Sequence, residues 1–164
     1  ENPTGKMAIG QISEALFLLL IPVFFGRYGF KKTILVGMLA WAIRYVLFAY
    51  GNGSDLSFML IIGIALHGIC YDFFFVSGQI YTNSKAGEKY KSAAQGLITL
   101  ATYGIGMLIG FAVAGWITDN YKTVDGGTNW QMVWIIPAGI AFAVFMIFAL
   151  FFDQKKEVKT TVTL

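Results

Sequence analysis

The sequence predicts an all-α membrane protein with five transmembrane helices. Three observations lead to this prediction: an excess of apolar residues, five long apolar segments, and basic residues concentrated in alternate loops. Hydrophobic residues make up 57% of the 164-residue chain and charged residues 13%, against roughly 45–50% and about 25% in soluble domains. The formal charge of +3 is modest and sits in particular loops, so we expect no nucleic-acid partner.

Five apolar segments account for most of the chain, and we expect each to cross the lipid bilayer. A helix needs about 20 residues to cross roughly 30 Å of hydrocarbon, and each segment approaches or exceeds that length. Helices are the expected form because backbone groups in lipid must be satisfied within the segment. The first to fifth segments run over residues 7–25, 33–50, 57–80, 93–117 and 130–152.

Basic residues in the loops predict the orientation of the chain. The stretches 26–32, 82–92 and 153–164 each contain three Lys or Arg residues, whereas 51–56 contains none and 118–129 only one. Basic loops therefore alternate with non-basic loops, and the positive-inside rule places the basic loops in the cytoplasm. We expect the N-terminus of the chain outside and the C-terminus inside, as five crossings require.

The first two segments contain polar residues that are costly in lipid. Gln11 and Glu14 are three residues apart, so they share one face of a helix. Glu14 is predicted near mid-span, although it could also reach water at the outer end of the helix. Arg44 in the second segment has two interpretations: it extends to the membrane interface, or it pairs with a buried acid.

The third segment contains the only histidine of the chain, and we interpret it as one wall of a polar pocket. His67 and Tyr71 are one helical turn apart. An ionisable residue within a membrane span is by default a functional-site hypothesis, although a packing histidine is the simpler alternative. Asp72 also has two interpretations, which stay open: a structural ion pair with Arg44, or a direct role in transport.

The last two segments are apolar and indicate packing. The fourth has no charged residue, and its Gly106 and Gly110 match the GxxxG pattern of close helix contacts. In the fifth, Trp130 and Trp134 stand near the outer end, as interfacial anchors do. The sequence contains no catalytic or phosphate-binding motif, so we predict neither an enzyme nor a cofactor, and the residue spacings indicate no metal site.

Several short motifs follow one another along the chain and cover nearly all of it. They are Gln11-Ile12-Ser13-Glu14, the basic turn 27–32, Ala40-Trp41-Ala42-Ile43-Arg44, the stretch 47–51, Tyr71-Asp72-Phe73-Phe74, Ala94-Gln95-Gly96 and the stretch 129–134. In combination these motifs are specific, and they resemble the C-terminal part of a major facilitator superfamily transporter. More narrowly, they resemble the bacterial nucleoside:proton symporter family.

The resemblance implies a fold and a location. The five segments would correspond to helices 8–12 of a twelve-helix transporter in the bacterial inner membrane, with the N-terminal half missing from this chain. The substrate would lie near the membrane midplane between two pseudo-symmetric halves, which alternate in exposing it to either side. The implied partners are a nucleoside, protons, the lipid bilayer and the missing half.

The resemblance also implies roles for individual residues. Gln11 and Glu14 would hydrogen-bond the nucleoside, while His67 and Tyr71 would stack on it. His67 departs from the family pattern, in which an aromatic residue such as tyrosine is usual at this position, and Tyr71 replaces a phenylalanine. Since a carboxylate removed from water can hold a proton, Glu14 and Asp72 are the candidates for proton coupling. The alternatives are a carrier for another polar solute, such as a sugar, and a non-transporting membrane subunit.

Overall fold

A computed structural model of the protein describes residues 3–152, with side chains from residue 5 onward. The basic tail that is predicted to be cytoplasmic lies outside the described residues. Within the described range the structure is helical, and its one β-bridge joins Lys122 and Thr128 in a loop. The helices are α1 (Pro3–Tyr50), α2 (Ser57–Ala65), α3 (His67–Tyr71), α4 (Ser77–Lys85), α5 (Gly87–Thr99), α6 (Met107–Asn120) and α7 (Trp130–Phe151), with π-helical turns at Asp72–Val76 and Leu100–Gly106.

By length and composition, four continuous helical stretches within the described residues could cross a membrane. They are Gly5–Tyr50, Ser57–Lys85, Gly87–Asn120 and Trp130–Phe151. The predicted all-helical membrane architecture is confirmed, but the predicted count of five is not matched exactly. The difference arises because the first two predicted segments both lie within α1.

Gly29 interrupts α1, and it is the only residue inside this helix that leaves the helical conformation. Its φ of 78° and ψ of 170° are accessible to glycine, which has no Cβ, and strained for other residues. The Thr33 hydroxyl donates a hydrogen bond of 2.9 Å to the Gly29 carbonyl. The predicted loop at 26–32 is thus helical apart from a single glycine, so a sharp bend replaces the expected connection.

The two halves of α1, on either side of Gly29, lie side by side. A Cβ added at Gly10 would lie 3.6 Å from the His67 Cβ, and the Arg44 Nη1 lies 2.9 Å from the His67 Nδ1. In a straight helix Gly10 and Arg44 would be about 50 Å apart, at 1.5 Å per residue. Because both residues reach the same histidine, α1 folds back on itself at Gly29, and α3 packs against both halves.

The buried core is small, and the outer surface is apolar. Phe30, Ile34 and Met38 form a cluster against which Tyr81 and Phe148 pack. By contrast, none of the most apolar part of the stretch 87–120 is buried. A soluble protein seldom exposes so continuous an apolar surface, so lipid or further protein must cover these helices.

Candidate functional site

A break in the helix before His67 sets the position of the site. Helix α2 ends at Ala65, and the hydroxyl of Ser13 donates a hydrogen bond to the Ala65 carbonyl. A Cβ at Gly68 would lie 2.5 Å from the Ser13 carbonyl carbon and 2.6 Å from the Glu14 nitrogen. Only a glycine lets the two helices approach this closely. The close contact places His67 beside Glu14.

Three polar side chains then form a continuous line, which we call the polar row (Glu14, His67 and Arg44). The His67 Nε2 lies 3.8 Å from the Glu14 Oε2, and the two side chains are 35% and 36% exposed. On the other side of the ring, the Arg44 Nη1 lies 2.9 Å from the His67 Nδ1. The histidine therefore lies between an acid from the first half of α1 and a base from the second half.

An aromatic wall (Tyr71, Phe75 and Tyr103) continues from the polar row. The His67 and Tyr71 ring centroids are 5.8 Å apart, and those of Tyr71 and Phe75 are 5.4 Å apart. Tyr103 stacks on Phe75 at 5.7 Å, and its hydroxyl forms a hydrogen bond with that of Tyr71. Such a wall offers flat apolar faces together with hydroxyl groups that can both donate and accept.

Asp72 follows Tyr71 directly but lies on a different face of the helix. Each residue turns a helix by about 100°, so Asp72 cannot share the face of His67 and Tyr71. Its side chain is 1% exposed, and neither carboxyl oxygen has a hydrogen-bond partner among the described residues. The predicted alternative of an ion pair with Arg44 is wrong for this structure, because the guanidinium contacts His67 instead.

Gln11 is a predicted site residue that lies outside the polar row and the aromatic wall. Its side chain is exposed and forms no hydrogen bond within the described range. It precedes Glu14 by about one turn on the same helix. The structure therefore brings Glu14, His67, Tyr71 and Arg44 together, leaves Gln11 exposed nearby, and buries Asp72 on another face of the same helical stretch.

The sequence analysis missed Tyr103 and both π-helical turns. Tyr103 lies in the turn Leu100–Gly106, and Asp72 begins the other turn; such turns are frequent at functional sites. The available signal was a tyrosine hydroxyl next to Thr102 in the middle of a largely apolar segment. No comparable feature of the sequence predicted the π-helical turns.

Other potential sites among the described residues contain few polar or charged side chains. Among the described residues, no group of three His, Cys, Asp or Glu side chains could hold a metal ion. An apolar cavity of about 780 Å³ lies between the second half of α1 and helices α6 and α7, with Trp41, Phe75 and Trp134 in its lining. The cavity shares Phe75 with the aromatic wall, but its lining contains no charged residue and no member of the polar row. The polar row and the aromatic wall therefore remain the candidate site.

Comparison with known sequences identifies bacterial permeases among the relatives of this chain. YegT of Escherichia coli (strain K12) is 37% identical over 169 residues, covering 99% of this chain. The nucleoside permease NupG of the same strain is 36% identical over 150 residues and 91% of the chain. The xanthosine permease is 34% identical over 154 residues and 93% of the chain. The chain spans only 36 to 40% of the length of these relatives.

Comparison with solved structures agrees with the sequence matches. The crystal structure of the nucleoside transporter NupG superposes with a TM-score of 0.83 at 36% identity, over 92% of this chain and 37% of NupG. The sequence profile of the nucleoside H⁺ symporter family matches residues 1–157. This chain therefore belongs to the nucleoside H⁺ symporter family, a family of membrane transporters rather than enzymes.

Proposed function

We propose that this chain is part of a secondary active transporter that imports nucleosides by proton symport. The observation that carries the proposal is the convergence of Glu14, His67 and Tyr71 on one wall of a helical bundle that resembles NupG. The protein would act in the bacterial inner membrane and expose its site to either side in turn, as secondary transporters do.

The chemistry of the site suits a nucleoside. A nucleoside is uncharged, with a flat base and several hydroxyl groups. The rings of His67 and Tyr71 offer flat faces to the base, and the half-exposed Glu14 carboxylate can accept hydrogen bonds from hydroxyls. Gln11 is exposed beside Glu14, so its amide is available to donate or accept. These four residues are the proposed substrate contacts.

We propose five membrane crossings that correspond to helices 8–12 of a twelve-helix transporter. The two halves of α1 lie side by side because α1 folds back at Gly29, so they would cross the membrane separately. The basic loops would then face the cytoplasm, with the N-terminus of the chain in the periplasm and the C-terminus in the cytoplasm. The relatives are longer than this chain, which supports a further part that completes the pocket.

Asp72 is the proposed carrier of the coupled proton. An unpaired carboxylate away from water is costly, and the protonated acid is much less so. Asp72 is buried, and its carboxyl oxygens have no hydrogen-bond partner among the described residues. Glu14 is half-exposed at the polar row, which favours substrate contact for this residue. The two acids would thus have different tasks.

Uptake by the full-length transporter in proteoliposomes tests the proposal. We expect an imposed inward proton gradient to drive accumulation of labelled uridine, and unlabelled nucleosides but not sugars to compete. Glu14→Gln should weaken uridine binding, whereas Asp125→Asn, in an exposed loop, should not. Competition by sugars alone would favour a carrier for another solute. Failure to transport any solute would favour a non-transporting membrane subunit.

A further inference from the structure

The contact between Arg44 and His67 determines which nitrogen of the histidine carries a proton. The Arg44 Nη1 lies 2.9 Å from the His67 Nδ1. A guanidinium group stays protonated in proteins and can only donate hydrogen bonds. Nδ1 must therefore accept, and the proton of a neutral imidazole is left on Nε2.

We propose that Arg44 is a positioning residue that holds His67 in its neutral Nε2–H form and so directs a hydrogen-bond donor towards Glu14. The Nε2 faces the Glu14 Oε2 at 3.8 Å, which is too long for a direct hydrogen bond. Both groups are half-exposed, so a polar solute can contact both. The site then presents a donor and an acceptor side by side.

Loss of Arg44 would change this hydrogen-bonding pattern. With Nδ1 free, the proton can move to Nδ1, and Nε2 then becomes an acceptor next to the acceptor Glu14. Two neighbouring acceptors fit a different set of solute groups from a donor and an acceptor. Arg44 thus acts through the histidine, and its consequence for substrate choice rests on the proposed function.

The surroundings of Arg44 hold its guanidinium in place. The group lies over the Phe48 ring, at 5.2 Å from the ring centroid, where a cation–π contact is favourable. Glu14 is on the first half of α1 and Arg44 is on the second half. Because α1 bends back at Gly29, these two residues contact His67 from opposite sides. The imidazole ring also lies beside the Tyr71 ring, on its own helix.

The arrangement also excludes an imidazolium in contact with Arg44. A doubly protonated ring has an N–H at both nitrogens and cannot accept a hydrogen bond. Protonation of His67 and the Arg44 contact are therefore mutually exclusive. The charged and titratable groups facing His67 are Arg44 and Glu14 from α1 and Tyr71 from α3.

Nitrogen NMR of the full-length transporter, labelled with ¹⁵N-histidine, tests the tautomer without any transport assay. This chain has a single histidine, and the signal lost in His67→Gln identifies it. We expect an unprotonated Nδ1 and a protonated Nε2 at neutral pH. Arg44→Met should give a mixture of tautomers, and Arg44→Lys, which can also only donate, should restore the original form.

Controls keep the result interpretable. Arg27→Met removes a cation that lies over Tyr28, remote from His67 in the chain, and should leave the histidine signal unchanged. If Arg44→Met does not fold, Arg44→Leu replaces it, because it also removes the hydrogen-bond donor. A protonated Nδ1 in the unsubstituted protein, or an unchanged tautomer in folded Arg44→Met or Arg44→Leu, would overturn the proposal.

Transport kinetics then separate this inference from the proposed function. In Arg44→Met we expect the apparent KM for uridine to rise roughly 2- to 10-fold, the effect of one hydrogen bond, with little change in maximal rate. The expected tautomer without any nucleoside uptake would contradict the proposed function alone. Nucleoside uptake with the opposite tautomer would contradict the role of Arg44 alone.

Discussion

His67 and Asp72 lie five positions apart on the same helical stretch, but their side chains have opposite surroundings. His67 is half-exposed and has a polar neighbour at each ring nitrogen. Asp72 is 1% exposed, and its carboxyl oxygens have no hydrogen-bond partner in residues 3–152. One polar side chain in this membrane helix is held by neighbours, and the other is buried without a hydrogen-bond partner for its carboxyl group.

This contrast indicates a division of tasks. A side chain fixed by neighbours on two sides keeps its geometry, as recognition of a solute requires. An isolated acid has a large difference in free energy between its charged and neutral forms, as a site that takes up and releases a proton requires. The following predictions test the contrast, beginning with the largest expected effect.

Replacement of the isolated acid should abolish coupling. Asp72→Asn keeps the shape of the side chain but cannot release or bind a proton, so we expect nearly all proton-driven accumulation of uridine to be lost. Exchange of labelled for unlabelled uridine across the membrane needs no net proton movement and should persist. The measurement compares proton-driven uridine accumulation with uridine exchange (counterflow) in the same proteoliposomes. Unchanged accumulation in Asp72→Asn would contradict the assigned task.

Replacement of Gly68 should disturb the polar row through packing. A Cβ there would lie 2.5 Å from the Ser13 backbone, so the helices must separate, at a cost of about 1–3 kcal/mol. We expect Gly68→Ala to lower thermal stability and weaken nucleoside binding. In the control Gly139→Ala, the new Cβ meets nothing within 4 Å. Equal stability of the two variants would show that the close contact is unimportant.

Removal of the Tyr103 hydroxyl should affect recognition with little effect on coupling. Tyr103→Phe keeps the stacking on Phe75 but breaks the hydrogen bond to Tyr71, a change of about 1 kcal/mol. We expect a severalfold rise in the apparent KM for uridine, with the proton-driven accumulation ratio retained. Tyr90→Phe, at an exposed tyrosine, is the matched control. A lost accumulation ratio would mean that the two tasks are not separate.

The last effect, on stability rather than on transport, is expected at the helix break. Ser13→Ala removes the hydroxyl that donates to the Ala65 carbonyl, which should cost about 0.5–1.5 kcal/mol. Thermal unfolding in detergent measures the loss, with Ser84→Ala as the control because that hydroxyl bonds within its own exposed helix. No difference between the two variants would show that Ser13 does not stabilise the break before His67.

The sequence was sufficient to predict an all-helical membrane protein and its family. Apolar segments of this length leave helices as the expected form in lipid, and the family profile over residues 1–157 agrees with the motifs. The sequence also drew attention to Glu14, His67 and Tyr71, because polar groups in a membrane span are costly and therefore noticeable. Their roles in transport remain predictions.

Only the tertiary structure decided which polar groups meet. Helical periodicity relates residues within one helix, such as His67 and Tyr71, but it contains no information about which face of another helix lies opposite. The sequence therefore offered Asp72 as a partner for Arg44, whereas the fold at Gly29 brings Arg44 to His67. Tyr103 was missed for the same reason, since its importance comes from a contact with Tyr71 across two helices.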